Sequence, residues 1–218
     1  MSMESAWPVP FLLDPANLTI DTAVTFAVSI LVAITINAEA QAFMANLLGD
    51  RRTDAKDRLH FNAFLHLDIL GSICYLVGGF GWPRAFDIDP GKFEHPRLYM
   101  VLTRAAGPVA NLLMGSIVGS VVMIFNAFEY DPRVFLMVVG VNVTTAIYNL
   151  IPIQPLAMGH LVCELLLPSQ DRTRSLLVLV GPYLVLALAL SERLTHHAIF
   201  SPYFDPIIRV IYNYIKGH

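Results

Sequence analysis

The sequence predicts an all-α polytopic integral membrane protein, on the strength of three observations. The chain of 218 residues is 56% hydrophobic and only 14% charged, whereas soluble domains carry about 25% charged residues. Its mean hydropathy is +0.59. Apolar stretches close to the ~20 residues that cross a bilayer recur along the chain. The net charge of −3 is too small to indicate a nucleic-acid partner, so lipid is the expected surrounding.

Five apolar segments are expected to be transmembrane helices. They cover about 20–46, 63–80, 101–126, 134–153 and 174–191. A short helix at about 156–167 is expected to pack between the last two. Glycine and proline in Gly78–Pro83 disfavour a helix, which predicts a re-entrant or extended segment near 78–90.

The two ends of the chain differ from the spans. The N-terminal tail, 1–19, contains prolines but no Lys or Arg, unlike a secretory signal peptide. The C-terminal tail, 198–218, alternates aromatic and aliphatic residues with charges, which predicts an interfacial amphipathic helix. Three tyrosines of this tail are expected at headgroup depth, namely Tyr203, Tyr212 and Tyr214. One membrane domain spanning 1–218 is the simplest organisation.

Basic residues and cysteines give two further expectations. Basic residues cluster after the first span, and the positive-inside tendency places them in the cytoplasm and the N-terminus outside. They are Arg51, Arg52, Lys56 and Arg58. Cys74 and Cys163 lie in apolar segments and are expected to be buried free thiols. Arg104, just inside the third span, is expected to extend its charge to the interface.

Six segments of the chain, within about 30–168, resemble the site-2 protease family of intramembrane zinc metalloproteases, specifically its short bacterial and archaeal members. They are Asn37–Asp50, Asn62–Gly71, Gly79–Trp82, Asp89-Pro90 with Pro96-Arg97, Gly107–Leu112 and Asn149–Gly159. The resemblance implies a site-2-protease-like helical bundle in a prokaryotic cytoplasmic membrane. It also implies a zinc site formed by two histidines four residues apart and a distant aspartate, with a glutamate that polarises the zinc-bound water.

Carried onto this chain, each of those four positions holds a residue unsuited to the chemistry. The first histidine falls on Asn37, the glutamate on Ala38, the second histidine on Gln41 and the aspartate on Ala157. Neutral amides are poor zinc ligands and alanine offers no ligand at all. Glu39 lies about 200° around the helix from Asn37, so it cannot take the role of the missing glutamate. We therefore expect no zinc and no catalysis at this site.

Several polar residues remain around this relic cleft. They are Glu39, His66, Asp68, Asn111, Asn149 and His160. Asn37 and Gln41 are expected to hydrogen-bond each other or the Asn149 region. Glu39 is either functional, as an ionisable group within a span, or lies near the cytoplasmic end of its helix, where it is protonated or paired with an arginine of the following loop. His66 and Asp68 are expected to hydrogen-bond each other.

The sequence leaves several functions open. The leading hypothesis is an inactive site-2-protease-like protein that serves as an accessory or structural subunit of a membrane protein complex, or binds transmembrane segments without cleavage. Its Gly79–Trp82 edge could pair with an extended peptide. The alternatives are an enzyme with a relocated metal site, and a subunit that binds lipid or a pigment, for which His60 or His160 could be a ligand. Small residues in the third span indicate either internal packing or a docking face. They are Gly115, Ser116, Gly119 and Ser120.

Overall fold

The computed structural model describes residues 19–51, 59, 61–167, 171–195 and 199–217, and these are mainly helical. The helices are α1 (Ile20–Leu48), α2 (Ala63–His66), α3 (Ile69–Gly78), α4 (Pro96–Ala127), α5 (Arg133–Tyr148), α6 (Ala157–Leu166), α7 (Arg172–Thr195) and α8 (Ser201–Lys216). A 3-10 turn, Pro90–Lys92, precedes α4. The described residues include one isolated antiparallel bridge and no strand. Nearly all of the N-terminal tail lies outside them, as do Arg52, Lys56, Arg58 and His60.

Within the described ranges, three helices, α1, α4 and α7, are long and apolar enough to cross a membrane. This agrees with the predicted integral membrane protein. Two of the other predicted spans are shorter than expected. α5 has 16 residues and ends at Tyr148 instead of near 153, and the segment 63–80 is divided between α2 and α3.

The division of the segment 63–80 arises at Leu67 and Asp68. Asp68 is the N-cap of α3, and its Oδ1 accepts a hydrogen bond from Gly71 N at 2.7 Å. Leu67 is extended and forms the bridge to Pro83. An aspartate that caps a helix has non-helical backbone angles, so a continuous helix through this position is not formed.

The residues between α3 and the 3-10 turn are non-helical, as predicted, and their first part is packed inside the protein. Phe80 stacks on Tyr148 with 3.9 Å between ring centroids. Trp82 is 2% exposed, and its Nε1 donates to Asp68 Oδ1 at 3.0 Å. These contacts meet the condition for irregular backbone at membrane depth, which must be covered by protein or water.

Helices α1, α4 and α5 form the centre of the bundle. All residues of α5 from Val139 to Tyr148 are buried. Gly107 allows α4 to approach α1, because a Cβ at this position would lie 2.6 Å from Asn37 Oδ1. Cys74 and Cys163 are buried free thiols, as predicted.

The C-terminal helix α8 packs on α4 and α5. Tyr203 and Tyr214 are exposed, in keeping with the predicted amphipathic helix. Tyr212, by contrast, is 4% exposed and belongs with Ile208 to the face that contacts the bundle.

Two glycines of α4 explain how α8 comes so close. A Cβ on Gly119 would lie 2.3 Å from Ile215 Cγ2, and one on Gly115 would also contact Ile215. Ser116 and Ser120 are exposed, and each hydroxyl donates to a carbonyl of its own helix. The glycines among the small residues therefore serve internal packing.

Candidate functional site

The polar positions identified in the sequence are concentrated where α1, α4 and α6 meet the C-terminal end of α5. Four residues that the sequence resemblance aligns with catalytic positions are all at most 4% exposed: Asn37, Ala38, Gln41 and Ala157. Asn111 on α4 and Asn149 at the end of α5 are also buried. Because a buried amide without a partner is costly, the partners of these side chains determine what the site can do.

A chain of hydrogen bonds joins four buried amides across α1, α4 and α5. Gln41 Nε2 donates to Asn37 Oδ1 at 2.8 Å, and Asn37 Nδ2 donates to Asn111 Oδ1 at 2.6 Å. Asn111 Nδ2 donates to Asn142 Oδ1 at 2.9 Å and also to a main-chain carbonyl of α1. The predicted contact between Asn37 and Gln41 is confirmed, and the chain continues to Asn111.

Arg104 stands at the beginning of this chain of amides and is only 3% exposed. Its NH1 donates to Gln41 Oε1 at 3.3 Å. Its Nε donates to Glu164 Oε2 at 3.0 Å, and its NH2 donates to the other carboxylate oxygen, which makes the ion pair bidentate. The expectation that Arg104 extends to the interface is wrong, because the Glu164 carboxylate on α6 neutralises it inside the bundle.

Sequence reasoning missed the Arg104–Glu164 ion pair, although a signal for it exists. Both residues interrupt apolar segments, and ionisable residues in such segments usually pair with each other. The two are 60 residues apart and lie on different helices. Their opposite charges indicate complementarity, but only the packing of α4 against α6 identifies them as partners.

Asn149 organises the turn between α5 and α6. Its Nδ2 donates to Gly81 O at 3.1 Å, and its Oδ1 accepts from Ala157 N at 3.3 Å. The Asn149 carbonyl accepts from Met158 N at 3.0 Å. Asn149 therefore fixes the position of Ala157 and joins this turn to the extended segment after α3.

A small cavity of about 10 Å³ lies beside these residues, close to the volume that one water molecule requires. Its lining comprises Gln41, Pro83, Arg84, Ala85, Phe86, Asn149, Pro155, Ala157 and His160. The His160 ring hydrogen-bonds the Pro155 carbonyl, and its buried Nε2 has no hydrogen-bond partner among the described residues. His160 is thus adjacent to Gln41 and Ala157, as the sequence suggested.

Glu39 and His66 form a separate pair on another face of α1. The distance between His66 Nε2 and Glu39 Oε1 is 2.8 Å, and the same oxygen accepts from Phe61 N. The predicted hydrogen bond between His66 and Asp68 is wrong, because Asp68 caps α3 and binds Trp82 instead. Glu39 has a polar partner, His66, at the end of α2, and it does not belong to the amide chain.

The residues at this site do not fit a zinc ion. Zinc in proteins is usually bound by at least three imidazole, thiolate or carboxylate groups, whereas this site presents amides, a methyl group, one imidazole (His160) and a carboxylate (Glu164) that is already paired with Arg104. Asn37 and Gln41 already use their carbonyl oxygens to accept hydrogen bonds. Within the ranges that the structure describes, no group of three or more His, Cys, Asp or Glu side chains could hold a metal ion.

Comparison with known proteins provides one informative relative. The chain is 28% identical over 204 residues to "Putative zinc metalloprotease YwhC" of Bacillus subtilis strain 168, and the alignment covers 83% of this chain and 93% of the relative. No protein-family model matches, and no solved structure matches. Over most of its length, the chain is therefore similar to a bacterial protein whose name places it with the zinc metalloproteases.

Proposed function

We propose that this chain is a catalytically inactive protein of the site-2 protease fold. It forms about five transmembrane helices in a prokaryotic cytoplasmic membrane, with its N-terminus outside. It serves as a structural or accessory subunit of a larger membrane protein complex, or binds transmembrane segments without cleaving them. The similarity to YwhC supports the origin of the scaffold, and the residues of the site support the loss of activity.

The observation that carries this proposal is the use of Asn37 and Gln41 in internal hydrogen bonds. These two residues occupy the positions of the zinc-binding histidines, and their amides bind each other, Asn111 and Arg104. Ala157 supplies no carboxylate at the third position. Without three ligands and a base, the site has no means of activating a water molecule in the way a zinc hydrolase does.

Purification from native membranes in a mild detergent tests the role as a subunit. We expect a partner membrane protein to co-purify in a constant ratio and to be cross-linked to this chain in intact cells. The matched sample is a membrane extract from a strain that lacks the chain. A chain that migrates alone, with no cross-linked partner, contradicts the subunit role.

A role in binding transmembrane segments would use the extended segment after α3. Gly81 is buried and its carbonyl accepts a hydrogen bond from Asn149, so this carbonyl of the Gly79–Trp82 edge favoured by the sequence is already used inside the protein. Ala85 and Asp87 are exposed and offer another place for pairing with an extended peptide, whereas the Arg84 N–H already donates to His66 O at 2.8 Å.

The substitution Ala85→Pro tests this version of the proposal. It removes a backbone N–H that strand pairing would use, so we expect cross-linking to a bound transmembrane segment to decrease. Ala85→Ser retains the N–H and is the matched control. Cross-linking that Ala85→Pro leaves unchanged would exclude pairing at this residue.

The Glu39–His66 pair supports a second candidate, an enzyme with a relocated metal site. One carboxylate and one imidazole 2.8 Å apart would be the beginning of such a site, which requires further ligands. This candidate predicts stoichiometric metal and a proteolytic activity that is lost on His66→Ala but not on His95→Ala, an exposed histidine. Metal analysis that finds none removes it.

A bound lipid or pigment remains an alternative that the site itself does not favour. The cavity of about 10 Å³ has room for about one water molecule, so such a ligand would need another surface of the protein. Extraction with organic solvent followed by mass spectrometry tests this alternative directly, and a pigment or one lipid species in stoichiometric amount would support it.

A further inference from the structure

The orientation of the Arg104 guanidinium distinguishes its two sides. The Nε and NH2 edge faces the Glu164 carboxylate, whereas NH1 points toward Gln41, the position of the second zinc ligand in the family. The positive charge is therefore nearest to the degenerate site, and the neutralising carboxylate lies on the opposite side. Both side chains are largely buried, with side-chain exposures of 4% and 9%.

We propose that the Arg104–Glu164 ion pair takes the place of the metal ion at the degenerate site. The ion pair joins α1, α4 and α6 there, and its positive charge excludes divalent cations from the site. This inference deepens the proposed function and rests on it. Arg104 does not deprotonate under physiological conditions, so its charge is permanent and cannot be converted into a neutral ligand.

The structural part of this role follows from the contacts of Arg104. One guanidinium binds an amide of α1 and a carboxylate of α6 while its own backbone belongs to α4. A metal ion joins helices in the same way, by binding side chains from several of them at one point. Bidentate Arg–carboxylate pairs are among the stronger and more directional charged contacts, which suits them to this substitution.

The exclusion of cations follows from electrostatics. A divalent ion held by a side chain at position 41 would be close to NH1 of Arg104, in surroundings from which water is largely absent. Repulsion between like charges is much stronger in such surroundings than in water. The Glu164 carboxylate reduces this repulsion only partly, because it lies on the far side of the guanidinium.

Zinc binding by variants with restored ligands tests the inference. The restored variant contains Asn37→His, Gln41→His and Ala157→Asp. It is compared with the same variant that also contains Arg104→Met and Glu164→Gln, a pair of changes that removes the cation without leaving a new carboxylate ligand. We expect zinc to bind at least about tenfold more tightly when the ion pair is absent, as measured by competition with a chelating dye.

Two controls separate the charge of Arg104 from general effects of mutation. Arg133→Met with Asp131→Asn removes an exposed ion pair and should leave zinc affinity of the restored variant unchanged. Arg104→Lys keeps the positive charge and should keep zinc binding weak. Gel filtration and circular dichroism establish that each variant is folded, and Arg104→Gln with Glu164→Gln, which also removes both charges, serves as the main comparison if the change to Met and Gln does not fold.

The possible results distinguish this inference from the proposed function. Equal zinc affinity in the restored variant with the ion pair and in the restored variant whose charges at positions 104 and 164 are removed, or no binding to either folded variant, overturns the exclusion of cations by Arg104. Tight binding in the Arg104→Lys variant also overturns it. Stoichiometric zinc in the unmodified protein would contradict the proposed function itself, whereas the other results leave that proposal in place.

Discussion

The four amides of the site, Asn37, Gln41, Asn111 and Asn142, each have a donor and an acceptor partner. Each amide NH2 group donates to the next member of the chain, in the direction away from Arg104. The chain ends where Asn142 Nδ2 donates to Val138 O. Hydrogen bonds aligned in this way polarise one another, and the charge of Arg104 reinforces the alignment. This network holds α1, α4 and α5 in register at the positions that the sequence resemblance aligns with a zinc site.

Asn111→Leu is expected to destabilise the protein by about 1–2 kcal/mol, because it removes the hydrogen-bond partner of Asn37 and of Asn142 inside the bundle. Unfolding by denaturant in detergent measures this change. Ser116→Ala on the same helix is the control, since the Ser116 hydroxyl is exposed and bonds only its own helix. Equal stability of the Asn111→Leu and Ser116→Ala variants would mean that the amide chain contributes little.

Arg104→Met alone is expected to cost about 3–5 kcal/mol, because it leaves the Glu164 carboxylate buried without its partner. The double change Arg104→Met and Glu164→Met should recover most of this loss, since two well-packed apolar side chains can replace a buried ion pair. Thermal unfolding in detergent measures both. A double variant less stable than Arg104→Met would contradict this account of the pair.

Contacts of the site within one helix can be predicted from the sequence, whereas contacts between helices cannot. The pairing of Asn37 with Gln41 follows from their spacing of four on one helix, and it was predicted. The Asn111 and Arg104 contacts depend on how α4 packs on α1 and α6. His66 was assigned to Asp68 because the two are neighbours in sequence, but the N-cap role of Asp68 directs its carboxylate to α3.

At the scale of helices, the position of α8 depends on one glycine of α4. Gly119→Ala would place a methyl group 2.3 Å from Ile215 Cγ2 and 2.7 Å from the Ile215 carbonyl oxygen. Because backbone must move to relieve the contact, we expect a loss of about 1–3 kcal/mol, typical of overpacking. Ser120→Ala, at an exposed neighbour, should have little effect.

Faster proteolysis near the C-terminus would accompany the loss of α8 packing. Limited digestion of the Gly119→Ala and Ser120→Ala variants in parallel measures this rate. An α8 helix that remains equally protected in both variants would show that the contact with Gly119 is relieved by other means.

The helices also show why the number of spans was predicted only in part. Hydropathy identifies α1, α4 and α7 correctly, because each is long and uniformly apolar. Hydropathy predicts α2 and α3 as one segment, because the break at Leu67 and Asp68 is only two residues long and hardly lowers the hydropathy averaged over the apolar stretch. The end of α5 was placed too late, because Leu150 and Ile151 continue the apolar pattern into the turn that Asn149 organises.

On the scale of the whole molecule, polar and apolar side chains are distributed as expected for a membrane protein. Large apolar side chains are exposed on the outer surface of α4 and α7, such as Leu113, Ile117, Leu179 and Tyr183. The amides and the ion pair are at the centre. In lipid, helix association depends on close packing and on polar contacts of this kind, so the amide chain and the Arg104–Glu164 ion pair act as a structural centre of the proposed bundle.

The most direct test of the central proposal is the zinc content of the unmodified protein. The chain would be purified with zinc present, desalted and analysed by mass spectrometry for metals, with the relative YwhC treated in the same way as a reference. We predict no stoichiometric zinc in this chain. One tightly retained zinc ion per chain, lost when Asn37 and Gln41 are both changed to alanine, would contradict the proposal.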